Sequence, residues 1–153
     1  MSKAKGRVYE KELEAHLQSM GLPAWRVPLS GALGGRFGSD IRISLPDGDL
    51  TFEVKMRSNP SKGVATLLKR LPAFFVLDGA VYHVLKLEDL PLDTCGSMEV
   101  KPTKAVLKWL GQNSALAIRL PKRKLGGSGW VIVIRDSSLA RLRSVIWQSS
   151  SHL

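Results

Sequence analysis

The chain is poor in the residues that build disulfide scaffolds and metal clusters. One cysteine among 153 residues, Cys95, excludes an internal disulfide and any cysteine-cluster zinc site. The three histidines, His16, His83 and His152, stand at no spacing that suits a ligand set. No apolar run approaches the ~18 residues of a membrane span. Residues Met1 to Lys5 are charged and lead into a polar helix, not an apolar signal segment, so a cytosolic chain without a membrane partner is expected. A nucleotide-binding loop is missing too. Ser30 to Ser39 holds four glycines, but no Gly-Lys-Ser/Thr follows, and a strand stands where a dinucleotide fingerprint needs a helix. No nucleotide cofactor is expected. The last shortage is negative charge. Thirteen Asp and Glu against 23 Lys and Arg leave +10, with a pI near 10.1. That balance favours a polyanionic partner, nucleic acid ahead of an anionic membrane surface, because no stretch sets a basic face opposite a bulky apolar one.

What is present suits one α/β domain. A chain of this length, 44% hydrophobic with mean hydropathy near zero (−0.02), can bury a sizeable core. Tyr9, Leu13, His16, Leu17 and Met20 follow helical spacing over about 6–20, and Gly21 ends the helix. Residues 24–29 predict a strand with Trp25, Val27 and Leu29 on its apolar face and Arg26 on the other. Ser61 caps a predicted helix to about Leu71, with Val64, Leu67, Leu68 and Leu71 inward. Strands are predicted over 73–77, 80–87, 115–120 and 130–134, a loop over 92–97 and a helix over about 102–110. A basic loop, 121–129, joins the last two strands. Ser137 or Ser138 caps a short final helix, and 149–153 reads as a disordered tail after a domain of 1–148. Leu67-Leu68-Lys69-Arg70-Leu71 and Val106-Leu107-Lys108-Trp109-Leu110, each followed by two strands, echo one another.

The chemistry gathers around a hairpin. Ser39 to Leu45 and Leu50 to Met56 both alternate with a period of two, across the turn Pro46-Asp47-Gly48-Asp49. Ile41, Ile43 and Leu45 share one face; Leu50, Phe52, Val54 and Met56 share the other arm's. If Leu45 sits opposite Leu50, Ile41 faces Val54 and the apolar faces coincide. On the polar face Asp40 then lies opposite Lys55, with Glu53 on the diagonal at roughly 7–8 Å. Two carboxylates at that separation can converge on one divalent cation. The plain alternative is a solvated face in which Arg42 pairs with Glu53. A glutamate on the first helix joins the set, and helical geometry alone leaves Glu10 and Glu12 equivalent.

In order, these are a helix with a glutamate, a strand, a serine loop, a strand with Asp40, and a strand with Glu53-Val54-Lys55. The arrangement resembles the PD-(D/E)XK nucleases, and among them the archaeal-type Holliday junction resolvases and their phage relatives. Lys5-Gly6 with Glu10, Glu12 and Leu13, then Ser30-Gly31, Gly38-Ser39-Asp40-Ile41 and Glu53-Val54-Lys55 carry the likeness, which covers residues 5–60. Beyond that only the pattern agrees. The resemblance implies a restriction-endonuclease-like domain, a mixed β-sheet flanked by helices, with a catalytic core of about 5–90. It implies Asp40, Glu53 and the Val54 carbonyl as ligands of Mg2+, for which Mn2+ may substitute in the test tube. It also implies Lys55 as orienter of water or charge stabiliser, Glu10 on the metal's water shell or a second metal, and Ser30 on a phosphate or water. Lys5, Arg7, Arg26, Arg36, Arg57, Lys62, Lys69 and Arg70 would grip DNA phosphates. The implied activity is paired symmetric nicking of a four-way junction by a homodimer, with Phe74–Leu77 or Trp130–Ile134 as candidate dimer surface. The alternatives are a related nuclease acting on flaps, nicks or duplex, and a catalytically silent DNA-binding module.

Overall fold

The structure, a computed structural model, describes residues 3–27 and 40–150; the side chains of 3–5 and 150 lie outside the description. Helix α1 (Lys3–Ser19) leads into three antiparallel strands, β1 (Ala24–Arg26), β2 (Ile41–Ile43) and β3 (Leu50–Met56). Helix α2 (Lys62–Leu68), β4 (Ala73–Leu77), β5 (Ala80–Lys86), a 3-10 turn at Leu87–Asp89 and β6 (Met98–Glu99) follow. Then come α3 (Lys104–Leu110), β7 (Ala115–Arg119), α4 (Lys122–Leu125), β8 (Trp130–Arg135) and α5 (Asp136–Ser150). The strands form one mixed sheet in the order β1-β2-β3-β7-β8-β5-β4-β6. Neighbours are antiparallel except β3 with β7 and β4 with β6. No helix among the described residues is long and apolar enough to cross a membrane.

Helices cover both faces, as a sheet with two apolar sides requires. On one, Leu13 and Leu17 of α1 and Leu139, Leu142 and Ile146 of α5 pack on Ile41, Phe52, Val54, Ala117 and Ile132. On the other, Val64 and Leu67 of α2 and Val106 and Leu110 of α3 pack on Phe75, Val84, Ile118 and Val133. The sequence echo is real in space. Units α2-β4-β5 and α3-β7-β8 place their second strands, β5 and β8, side by side and antiparallel, with both helices over one face. Their helices begin alike: Ser61 and Thr103 each accept from the backbone N–H three residues on, Val64 at 3.4 Å and Val106 at 3.1 Å.

Several expectations are corrected. β8 is fully buried from Trp130 to Ile134, which removes it as a dimer surface. The final helix is long, not short: it starts at Asp136 and runs through Ser150, so Ser149 and Ser150 belong to it, and 151–153 lie outside the described residues. Its length follows from what it carries. Buried Arg143 donates to the carbonyls of Asp89, Leu90 and Thr94 at 2.8–3.1 Å, and Trp147 Nε1 donates to the Pro91 carbonyl at 2.8 Å. Tertiary contacts thus extend a helix that capping residues alone would not. β1 is turned over. Ala24 is buried, Trp25 is 41% exposed with its indole N–H 3.1 Å from Ser44 Oγ, and Arg26 faces α1. Two glutamates on α1 make this orientation favourable: Arg26 pairs with Glu10, and its backbone N–H donates to Glu14 at 2.8 Å.

Candidate active site

The β2–β3 register differs by two residues from the one expected. Ile43 pairs with Leu50, Arg42 with Thr51 and Ile41 with Phe52, so the connection holds six residues, 44–49, not four. A slip of two leaves every side chain on its face, and alternation alone is blind to it. Leu45 has left the strand yet stays buried, and Ser44 donates to the Pro23 carbonyl at 3.1 Å. Arg42 therefore reaches Asp49 (3.6 Å) and not Glu53, whose ion pair is with Lys55 on its own strand.

For the acidic pair the slip matters. Asp40 comes abreast of Phe52 and Glu53, where its N–H donates to the Phe52 carbonyl at 3.0 Å, and not opposite Lys55. Its Oδ2 accepts from the Val54 N–H at 2.9 Å. Glu53 and Lys55, two apart on β3, lie on one face with Lys55 Nζ 3.7 Å from Glu53 Oε1. Burial pushes the Glu53 carboxyl up to about 7; the Asp40 charge adds to this, and Lys55 opposes it. Glu10 is also raised above the ordinary carboxylate range, by burial and then by Asp40, with Arg26 3.5 Å away in opposition. The structure thus chooses Glu10 over Glu12 and joins Glu10, Asp40, Glu53 and Lys55 in one cluster beside Arg26.

Glu12 faces elsewhere. Its Oε1 accepts from Trp130 Nε1 at 2.7 Å and Arg119 Nε at 2.8 Å, so it ties α1 to β7 and β8. Arg119 and Trp130 thus hold the glutamate that flanks the acidic cluster, a pairing that local sequence spacing does not reveal. Their only signal was a buried tryptophan needing a hydrogen-bond acceptor.

The remaining expected residues scatter. Ser30 and Arg36 lie outside the described residues, as does the side chain of Lys5. Arg7 is exposed on α1. Arg26, expected on DNA phosphates, is engaged by Glu10. Arg57 leaves the end of β3 with its guanidinium 4.5 Å over the Trp109 ring. Lys62, Lys69 and Arg70 are exposed along and just past α2, which packs on the sheet face to which Glu53 and Lys55, alternating with Phe52 and Val54, also point; Arg70 Nη1 lies 3.4 Å from the Met98 sulfur.

The donor set fits a hard divalent cation. Among the described residues no group of three or more His, Cys, Asp or Glu side chains could hold a metal ion by themselves. The pair Asp40–Glu53 supplies two carboxylates. The Val54 carbonyl points to the same strand edge as its N–H, where Asp40 sits. One or two carboxylates with retained waters is the usual Mg2+ arrangement, unlike a dedicated cage. A carboxyl pushed up to about 7 by burial, with the Asp40 charge adding to it, is one that a nearby cation would return to its charged form. No protein-family model matches the chain, and no curated protein does.

Proposed function

We propose that this protein is a metal-dependent DNA endonuclease of the PD-(D/E)XK kind, acting on branched DNA as a Holliday junction resolvase does. The observation that carries the reading is the meeting of Asp40, Glu53 and Lys55 at the edge of β3, with Glu10 delivered from α1. The +10 charge supplies the complementary reason to expect DNA.

Asp40 and Glu53, with the Val54 carbonyl, would hold Mg2+. When bound, the ion would polarise the scissile phosphate and acidify a water. Lys55 sets an ammonium beside the carboxylates, where negative charge develops on the phosphate during attack. Glu10, with its raised proton affinity, is placed to accept a hydrogen bond from a water or hold a proton next to Asp40. Arg26 fixes Glu10 and limits the repulsion in the cluster.

A four-way junction is two-fold symmetric, so symmetric incisions require two such sites and hence a homodimer. With β8 buried, the β4–β5 hairpin end is the remaining expected surface. There Val76 (50% exposed) pairs across the strands with Val81 (37%). The test is incubation with end-labelled four-way junction, flap and linear duplex, with and without Mg2+. Two symmetric nicks in the junction, absent without metal, are expected. Equal cutting of linear duplex would retain the nuclease and remove the resolvase; no metal-dependent cutting of any DNA would remove both.

A further inference from the structure

The segment Pro121 to Gly129 reads in sequence as a loose basic connection, and the structure holds it in place. Lys122, Arg123 and Lys124 form α4 and are all exposed. Lys124 Nζ donates to the Ser58 carbonyl and to Asn59 Oδ1, both at 3.0 Å. At its other end Ser128 donates to Glu88 through Oγ at 2.5 Å and through its N–H at 3.2 Å. Gly127 lies so close to Glu88 that an added Cβ would collide with the carboxylate, and its φ of +55° also suits glycine.

The position of this anchored turn is set by the sheet. β7 runs parallel to β3, with Lys55 beside Ile118 and Met56 beside Arg119, and the Arg57 N–H donates to the Arg119 carbonyl at 2.9 Å. Both chains therefore leave the sheet at the same end, the end that carries Lys55. Lys124 then closes α4 onto the residues directly after the Glu53-Val54-Lys55 strand. Arg57 lies in the same strip, steadied over Trp109.

We propose that Lys122 and Arg123, positioned by Lys124, form a preset phosphate clamp that receives the DNA backbone flanking the site of cleavage. The inference rests on the nuclease reading and adds a second contact segment to it, remote in sequence from the acidic residues. A sequence-independent backbone contact suits the residue types: two flexible cations reach phosphates and read no base. Anchoring matters because a segment already ordered loses less freedom on binding.

The experiment measures affinity for a four-way junction over roughly 50–200 mM salt, without metal so that no cutting occurs. It compares wild type, Lys122→Ala/Arg123→Ala, and the control Arg135→Ala/Arg141→Ala. The control removes the same charge from the far end of the sheet, where Arg135 pairs in register with Tyr82 and Arg141 holds Asp47. The clamp variant is expected to bind about 10-fold more weakly at 100 mM salt and to flatten the log-affinity against log-salt slope by about two units, as loss of two phosphate contacts does. Its circular dichroism spectrum and urea-unfolding midpoint should match wild type, as expected for two exposed side chains, which excludes a folding defect. If the two double variants behave alike while wild type binds and cuts, the clamp is overturned and the nuclease stands. If wild type shows no salt-dependent DNA binding, both are overturned.

Discussion

Glu10 and Glu12 sit two residues apart on α1 and end in opposite surroundings. Glu12 is met by donors: the Trp130 indole and the Arg119 guanidinium share one oxygen, and Arg119 also lies 5.6 Å from the Tyr9 ring centre. Glu10 is met by another acid, Asp40, which in turn meets Glu53, and Arg26, Arg7 and Lys55 oppose the crowding. One corner is electrostatically satisfied and ties helix to sheet. The other concentrates negative charge where a fold gains nothing from it. Clustered carboxyls with raised proton affinity at a strand edge are what the proposed nuclease site requires.

The contrast can be broken first at its satisfied corner. Glu12→Ala strands the N–H of a fully buried tryptophan and frees Arg119, and should cost about 2–4 kcal/mol of stability, read by urea unfolding. A cost no larger than that of Glu14→Ala would erase the distinction. At the acidic corner the sign is reversed. The folded Glu53 carboxyl titrates near 7 against an ordinary value of 4.5, so between these values the native state holds the extra proton. Stability from this group is full below about 4.5, falls as pH rises and levels off above about 7. Glu53→Gln should remove that decline and, with solvent screening discounted, stabilise the metal-free protein by about 1–2 kcal/mol at pH 8. A melting profile against pH for both proteins checks it, and parallel profiles would contradict it.

Smaller again is the effect of the cation. Mg2+ at about tenfold above its dissociation constant should stabilise the wild type by about 1.4 kcal/mol, seen as a rise in melting temperature. Asp40→Asn should lose this rise, and Glu12→Gln should keep it. The least expected change is at Arg57→Ala, which should flatten the salt dependence of DNA binding by about one unit and leave stability within about 1 kcal/mol.

Much of the fold was legible because periodicity is local. The stripe Leu13–Leu17, the alternation of β3 and the cap Ser61 each concern residues within a few positions of one another. The acidic set was legible in membership and not in geometry. Asp40 and Glu53 belong together, but the register that joins them is fixed by Leu45 and Ser44 outside the strand, contacts that alternation does not encode. The choice between Glu10 and Glu12 depends on Arg119 and Trp130, over a hundred positions away. β6, two residues long, is defined only by its partners Ala73 and Phe74. The face of β1 was misread because Trp25 weighs more in any apolar count than Ala24, while α1 offers Arg26 a carboxylate.

In the proposed nuclease Asp40 serves the chemistry and Glu12 the framework. Single-turnover cleavage of a labelled four-way junction at saturating enzyme and Mg2+ tests it most directly, with Asp40→Asn and Glu12→Gln side by side and folding verified by circular dichroism. The expected result is a loss of at least ~100-fold for Asp40→Asn, with DNA affinity retained, and less than about a threefold change for Glu12→Gln. Cleavage by Asp40→Asn at the wild-type rate would contradict the account.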